Sequence, residues 1–273
     1  MQHRKIAFIG AGNMAGAIIS GLVANGYPAA LISVCAPSTT RRDALAEKLG
    51  VISSDDNVQC AQQADVVVLA VKPQLMAKVC EHLQEQVDFS GKLVLSIAAG
   101  VNVARFYQLL GNALNIVRIM PNTPSLVGKG MSGLYAPDQV NLQDRQFTAD
   151  LMSAVGKVCW VDDENGINQV IAAAGSAPAY FFLFMEAMQK EAESLGFSAK
   201  MARLLVQQAA SGATALVEAS PDTPLSTLRE QVTSKGGTTA EALRVFNEQD
   251  LTGIVSQAMQ AAISRAQEME KQF

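Results

Sequence analysis

"FIGAGNMAGAI", residues 8–18, decides the fold. Within it, Gly10-Ala11-Gly12-Asn13-Met14-Ala15 matches G-x-G-x-x-A. The match follows the apolar run "KIAFIG" (5–10) and opens a helical pattern over 13–25. In that setting Gly10 permits a tight turn, Gly12 lets the backbone approach a pyrophosphate, and Ala15 lets the helix pack close to the strand. The phosphates then lie on the helix N-terminus, where N–H groups are unpaired and the dipole is positive. The alternative is a purely structural turn. The strand–turn–helix context favours a dinucleotide.

Outward from this turn, short apolar runs alternate with helical patterns. "LISVCA" (31–36), "ADVVVLAV" (64–71), "KLVLSIA" (92–98) and "NIVRIM" (115–120) read as strands, mostly apolar on both faces as buried parallel strands are. Helical segments lie between them at 39–49, 74–86 and 102–110. "MSGLYA" (131–136) and "GKVCWV" (156–161) extend the series, with a helix at about 143–155. This alternation predicts α/β architecture, an N-terminal Rossmann domain with a doubly wound, mostly parallel sheet. After Val161 the strand signals stop and "VDDENG" reads as a linker. Helices are expected at about 165–196, 199–219, 224–232, 239–248 and 250–271. The predicted domains are 1–162, binding the dinucleotide, and 163–273, all helical. Long apolar helices with no sheet to cover them bury their faces against a symmetry mate, so the second domain is expected to dimerise.

Composition narrows the function class. Of 273 residues, 49% are hydrophobic and 17% charged, and the net charge is −4. The chain can build a sizeable core. It lacks the Lys/Arg block that a nucleic-acid partner requires. Cysteines 35, 60, 80 and 159 show no C-x-x-C spacing, so neither a metal site nor a disulfide framework is expected, and a reducing cytoplasm fits best. "MQHRK" and the apolar residues after it superficially imitate a signal peptide, but the glycine spacing explains them better. The apolar run Val170–Met185 is short for a membrane span and contains Gly175 and Pro178, so a buried helix is expected there and no membrane.

The cofactor type is read at the end of the second strand. A dinucleotide without a 2′-phosphate usually meets an acid there. This chain has Cys35-Ala36-Pro37-Ser38-Thr39-Thr40-Arg41-Arg42 instead. Hydroxyls and two arginines suit a phosphate, which favours NADP(H), with NAD(H) as the alternative. Ser38 or Thr39 could equally be an N-cap. The only histidines are His3, in the N-terminal tail, and His82, on a polar helix surface, so a histidine relay is not expected. Chemistry needing little proton transfer from the protein fits. Imine reduction is such a case, because a protonated C=N accepts hydride readily.

Several segments, in order, carry a resemblance: "FIGAGNM" (8–14), "AVKP" (70–73), "SIAAGV" (96–101), "MPNTP" (120–124), "GSAPAY" (175–180) and "SKGGTTAEALRVF" (234–246). Over essentially its whole length the chain resembles the pyrroline-5-carboxylate reductases, which catalyse the last step of proline biosynthesis. The resemblance implies reduction of 1-pyrroline-5-carboxylate to L-proline by NADPH or NADH. It also implies a homodimer, or a ring of dimers, whose active site borrows residues from a second subunit. By position, Ile9, Gly10, Ala11, Gly12, Asn13 and Met14 hold the pyrophosphate. Ser38 and Asn57 lie at the adenosine end, Ser38 near the 2′-phosphate. Ala70, Val71 and Lys72 line the cofactor, Ala98 approaches the nicotinamide, and residues 120–124 close the site. Glu164, Ser234, Gly237, Thr238 and Thr239 contact substrate; Thr239, the catalytic candidate, hydrogen-bonds the ring nitrogen. The T-x-x-E of Thr238-Thr239-Ala240-Glu241 reads as a capping box, with Thr238 capping the helix and Glu241 answering it. Lys235 replaces a usual Pro and Ala177 a frequent Gly; neither change removes a proposed ligand.

Two rivals remain. 3-Hydroxyacid dehydrogenases and related imine reductases share this two-domain plan, but the hydroxyacid enzymes place a Lys early in the interdomain helix. "GSAPAYFFLFMEAMQK" has none before Lys190. A non-catalytic nucleotide-binding regulator would not need the substrate-type residues at 234–239.

Overall fold

The computed structural model describes residues 3–112 and 114–273. Met1 and Gln2, which open the basic stretch read as signal-like, lie outside them. The chain divides into two compact units. One runs to Pro178 and takes in Ala261–Phe273; the other is Ala179–Gln260.

In the first unit, eight strands form one sheet among the described residues. They are β1 (Ile6–Ile9), β2 (Ile32–Cys35), β3 (Ile52–Ser54), β4 (Val66–Leu69), β5 (Leu93–Ser96), β6 (Asn115–Met120), β7 (Gly130–Tyr135) and β8 (Gly156–Trp160). Their order is β3-β2-β1-β4-β5-β6-β7-β8. The strands β1 to β6 pair in parallel, β7 runs antiparallel to β6, and β8 is parallel to β7. The helices of this unit are α1 (Asn13–Ala24), α2 (Thr39–Leu49), α3 (Asn57–Gln63), α4 (Pro73–Gln84), α5 (Val103–Leu110), α6 (Leu142–Ser153) and α7 (Gly166–Val170).

A core lies on each face of the sheet, and the alternation of β1 shows why. Ile6 and Phe8 enter one core with Ile18, Ile19 and Leu22 of α1. Ala7 and Ile9 enter the other with Met76 and Leu83 of α4 and Phe106 of α5. With both faces covered, the central strands read as unbroken apolar runs. The doubly wound, mostly parallel sheet expected from the sequence is the one observed. The sequence predicts no strand or helix between residues 49 and 64, where β3 and α3 stand. β3 is three residues long, at the sheet edge, with Ile52 53% exposed. An edge strand that buries little leaves no apolar signature.

A π-helical turn, Ile171–Gly175, joins α7 to α8 (Ala177–Ser194). The helical run Gly166–Ser194 is long and apolar enough by composition to cross a membrane.

The second unit holds most of α8, then α9 (Ala199–Ala219), α10 (Leu225–Gln231), α11 (Thr238–Glu248) and the start of α12 (Leu251–Gln272). Ser198 caps α9 by accepting from the Met201 N–H at 3.3 Å. Gly196 carries φ +103 in the turn between α8 and α9, a backbone state that favours glycine. Among the described residues of this unit, only Ala202 and Val206 are buried hydrophobics. Phe181, Phe182, Leu183 and Leu195 are exposed, and Phe184, Met188, Leu205 and Phe246 line an apolar groove of about 590 Å³.

Candidate active site

The first part of the site is the turn after β1. The strand order reverses between β1 and β4, and open parallel sheets bind ligands outside the strand ends at such a point. Gly10 has φ +118, and a Cβ there would stand 2.6 Å from the Ala70 carbonyl oxygen. Any larger residue would be strained in its backbone and driven into the loop after β4. The Gly10 N–H donates to the Cys35 carbonyl at 2.7 Å and the Ala70 N–H to the Ile9 carbonyl at 2.9 Å. One glycine thus ties together the ends of β1, β2 and β4.

Gly12 is different. It occupies the N-cap of α1 with extended backbone, and a Cβ on it would stand in open space. The fold does not need a glycine there, and its bare backbone leaves the helix end open to a bulky anion. The first turn of α1 carries no acidic side chain among the described residues, so the positive end of the helix dipole faces that space uncompensated. Ala15 is buried in the core, giving the close packing expected of the third motif position. These observations fit a dinucleotide pyrophosphate.

The remaining cofactor candidates gather at the same carboxyl edge of the sheet. Ser38 is the N-cap residue of α2 after β2, exposed and without a side-chain capping bond among the described residues. The two arginines beside it separate. Arg42 is buried, donating to the Ala36 carbonyl and to Asp43 Oδ1, both at 2.9 Å, whereas Arg41 is exposed. Only Arg41 keeps the freedom to meet a phosphate. Asn57 opens α3 after β3, and the Asp56 side chain caps that helix by accepting from the Gln59 N–H. Ala70 and Val71 follow β4, and Lys72 is the N-cap of α4 with Pro73 first in the helix. Ala98 is half-buried in the turn after β5.

Residues 120–124 are tied down by Asn122, which is buried. Its Nδ2 donates to the Ala174 carbonyl in the π turn at 3.0 Å, and its Oδ1 accepts from the Met131 N–H at 2.9 Å. Glu164 meets a partner that sequence reasoning passed over. Its Oε1 accepts from Arg118 Nη1 at 2.6 Å and from the Val103 N–H at 2.7 Å. Arg118 Nη1 also bridges to Glu270 Oε1 at 3.0 Å, and Asn168 Nδ2 donates to Glu270 Oε2 at 3.2 Å. Arg118, 2% exposed, is the single charge inside "NIVRIM", which was the available signal. A guanidinium so buried must be paired, because leaving it alone costs several kcal/mol, on the order of 3–5.

The second unit holds the other group, Ser234 to Thr239. Gly236 carries φ +72, and the Gly237 N–H donates to the Ser234 carbonyl at 3.0 Å, closing a tight turn. A Cβ on Gly237 would collide with Ser234 Oγ. Here the structure corrects the capping box. The N-cap of α11 is Gly237, not Thr238, which is already the first helical residue, and no side-chain cap is made among the described residues. Glu241 instead pairs with Arg244 at 2.9 Å. The consequence is favourable for binding: the first N–H groups of α11 stay unspent, and Thr238 and Thr239 are both exposed beside them. Lys235 is exposed as well. Among the described residues, no group of His, Cys, Asp and Glu stands close enough to hold a metal ion.

Comparison with known proteins follows the two units. Residues 5–100 match a family model described as NADP oxidoreductase coenzyme F420-dependent, and residues 164–269 match one described as pyrroline-5-carboxylate reductase dimerisation. A pyrroline-5-carboxylate reductase of Vibrio alginolyticus is 64% identical over the full length of both chains. A solved pyrroline-5-carboxylate reductase from Coxiella burnetii superposes with TM-score 0.93 at 42% identity, covering 98% of this chain and 99% of that one. The Plasmodium falciparum pyrroline carboxylate reductase, solved with NADP bound, superposes with TM-score 0.87 at 28% identity, covering 99% of each chain.

Proposed function

This chain belongs to the pyrroline-5-carboxylate reductase family, and on that premise we propose how its residues divide the work. The protein is an NADP-dependent oxidoreductase that reduces 1-pyrroline-5-carboxylate to L-proline, closing proline biosynthesis. When bound, the cofactor supplies the hydride; the protein supplies position and field. Ile9 to Met14 hold the pyrophosphate on the N-terminus of α1. Ser38, with Arg41, takes the 2′-phosphate, and Asn57 lies at the adenosine end. Ala70, Val71, Lys72 and Ala98 line the cofactor toward the reacting ring. Ser234, Gly237 and Thr238 cradle the substrate carboxylate. Thr239 hydrogen-bonds the ring nitrogen and holds the C=N carbon in place. Glu164, anchored by Arg118, contacts substrate. The functional boundary is set between 162 and 163.

The observation that carries this reading is the open space at Gly12. A position that the fold could fill with a side chain is kept bare at a helix N-terminus, next to a glycine that the fold cannot replace. The exposed apolar faces of the second unit support a homodimer, and a ring of dimers is the larger assembly proposed. The free cysteines support a cytoplasmic setting. Steady-state kinetics with pyrroline-5-carboxylate and each cofactor, with the solution mass of the assembly, test the reading. Tight NADPH binding without turnover on this or any other cyclic imine would overturn it.

A further inference from the structure

Cys35 is the last residue of β2, and Cys60 lies in α3. Both are buried, and the one Cys35 S–H faces two acceptors, Cys60 Sγ at 2.9 Å and the Asp56 carbonyl oxygen at 3.1 Å. A disulfide needs about 2.0 Å between sulfurs, so these two stand less than an ångström short of a bond. Cys60 also borders a cavity of about 320 Å³, lined by Ser33, Ser54 and Gln59 among others, which is roomy for a small oxidant. The hydrogen bond from Cys35, helped by the Ser54 and Ser33 hydroxyls and opposed by burial, holds the Cys60 thiol below its ordinary range. The same bond, with burial, pushes Cys35 up. One sulfur is thus prepared as nucleophile and the other as the proton-bearing partner. The proposed catalytic arrangement uses neither.

We propose that Cys35 and Cys60 form a reversible redox site that takes a small hydroperoxide. The Cys60 thiolate attacks the peroxide; the O–O bond breaks, an S–O bond forms, and the alcohol leaves with a proton from solvent. Cys35 then attacks the Cys60 sulfur. The S–S bond forms, the S–O bond breaks, and the departing hydroxide takes the Cys35 proton as water. In sum, two thiols and one hydroperoxide give a disulfide, an alcohol and water, each sulfur losing one electron to the peroxide oxygens. A dithiol reverses the step by exchange.

The pair sits beneath the cofactor turn. The Cys35 carbonyl accepts the Gly10 N–H, and the next carbonyl, Ala36, accepts from Arg42. Drawing the sulfurs together pulls the end of β2 toward α3 and strains both bonds. Oxidation therefore lowers NADPH affinity, roughly fivefold, at the low end of ordinary coupling between sites. The redox chemistry stands on the thiols alone; only this effect rests on the cofactor reading above.

The test treats the full-length protein with hydrogen peroxide, blocks remaining thiols and maps the non-reduced digest by mass spectrometry. A peptide linking Cys35 to Cys60, released by dithiothreitol, is expected, and it should persist when Cys80 and Cys159 are both replaced by Ala. Two free thiols, a Cys60 oxidised further without a link, or a disulfide drawn from Cys80 or Cys159 would each overturn the site. The wild-type map decides even if a variant fails to fold. NADPH titration of the oxidised protein should show the fivefold weakening, recovered on reduction. A formed disulfide with unchanged NADPH affinity would overturn the coupling and leave the redox site standing.

Discussion

The turn at Gly10–Ala15 and the turn at Ser234–Thr239 both leave uncapped helix N-termini among the described residues, but they are held differently. The first is clamped by the sheet: Gly10 presses on the Ala70 carbonyl and bonds to Cys35, and Ile9 and Ala15 are buried. The second is held by its own local bonds. Gly236 turns the chain, Ser234 accepts from Gly237, and the residues around them are exposed within the subunit. A preformed cradle suits a large dinucleotide with many groups to place at once. A turn with few supports suits a small acid that must enter and leave.

Breaking the clamp should have the largest effect. Gly10→Ala forces a side chain into a φ of +118 and into a carbonyl, costing at least about 2 kcal/mol and abolishing NADPH binding. Thermal melts and cofactor titration check this; a normal melt with normal binding would show that the clamp is not needed. Gly12→Ala sharpens the same comparison. Its Cβ meets nothing in the fold, so stability should stay within about 1 kcal/mol while NADPH affinity falls roughly 10–100-fold. Should stability and binding fall together, the open space is structural and the pyrophosphate assignment is wrong. On the second turn, Thr239→Ala should lower kcat by roughly tenfold or more, for a lost hydrogen bond of about 1.4 kcal/mol, with NADPH affinity unchanged. Equal damage to both constants would mean that Thr239 supports the cofactor instead. The smallest effect is expected at the far end of the first cradle. Ser38→Ala and Arg41→Ala should each weaken NADPH by roughly 3–10-fold and leave NADH alone; an unmoved preference, read from kcat/KM for both cofactors, removes the 2′-phosphate role.

Legibility in the sequence followed burial. β1 and β4 sit between two cores, so their runs "IAFI" and "VVVL" announced them. β3, an edge strand with polar residues, gave no comparable signal. At the first turn, motif and context agree: Gly10 has a local steric reason, and Gly12 stands bare at the N-cap of α1. At the second, T-x-x-E is the pattern of a capping box, but the cap falls one residue earlier, on Gly237, and no box forms among the described residues. Whether Thr238 or Gly237 takes the cap depends on where the chain leaves the left-handed Gly236, and side-chain identities do not report that. The two arginines after β2 were likewise indistinguishable in the sequence. Only the fold shows that Arg42 spends its donors on Ala36 and Asp43. The Arg118–Glu164–Glu270 cluster joins residues far apart in the chain, and no spacing rule reaches that distance.

The bare apolar faces of α8 and α9 have a consequence for how the molecule comes into being. Phe181, Phe182 and Leu183 are each more than 60% exposed on the single chain, so a newly made subunit carries adhesive surface until it meets another. Its maturation therefore contains a second-order step whose rate grows with the square of subunit concentration. Dilution lengthens the interval in which this surface is open to proteases and to aggregation.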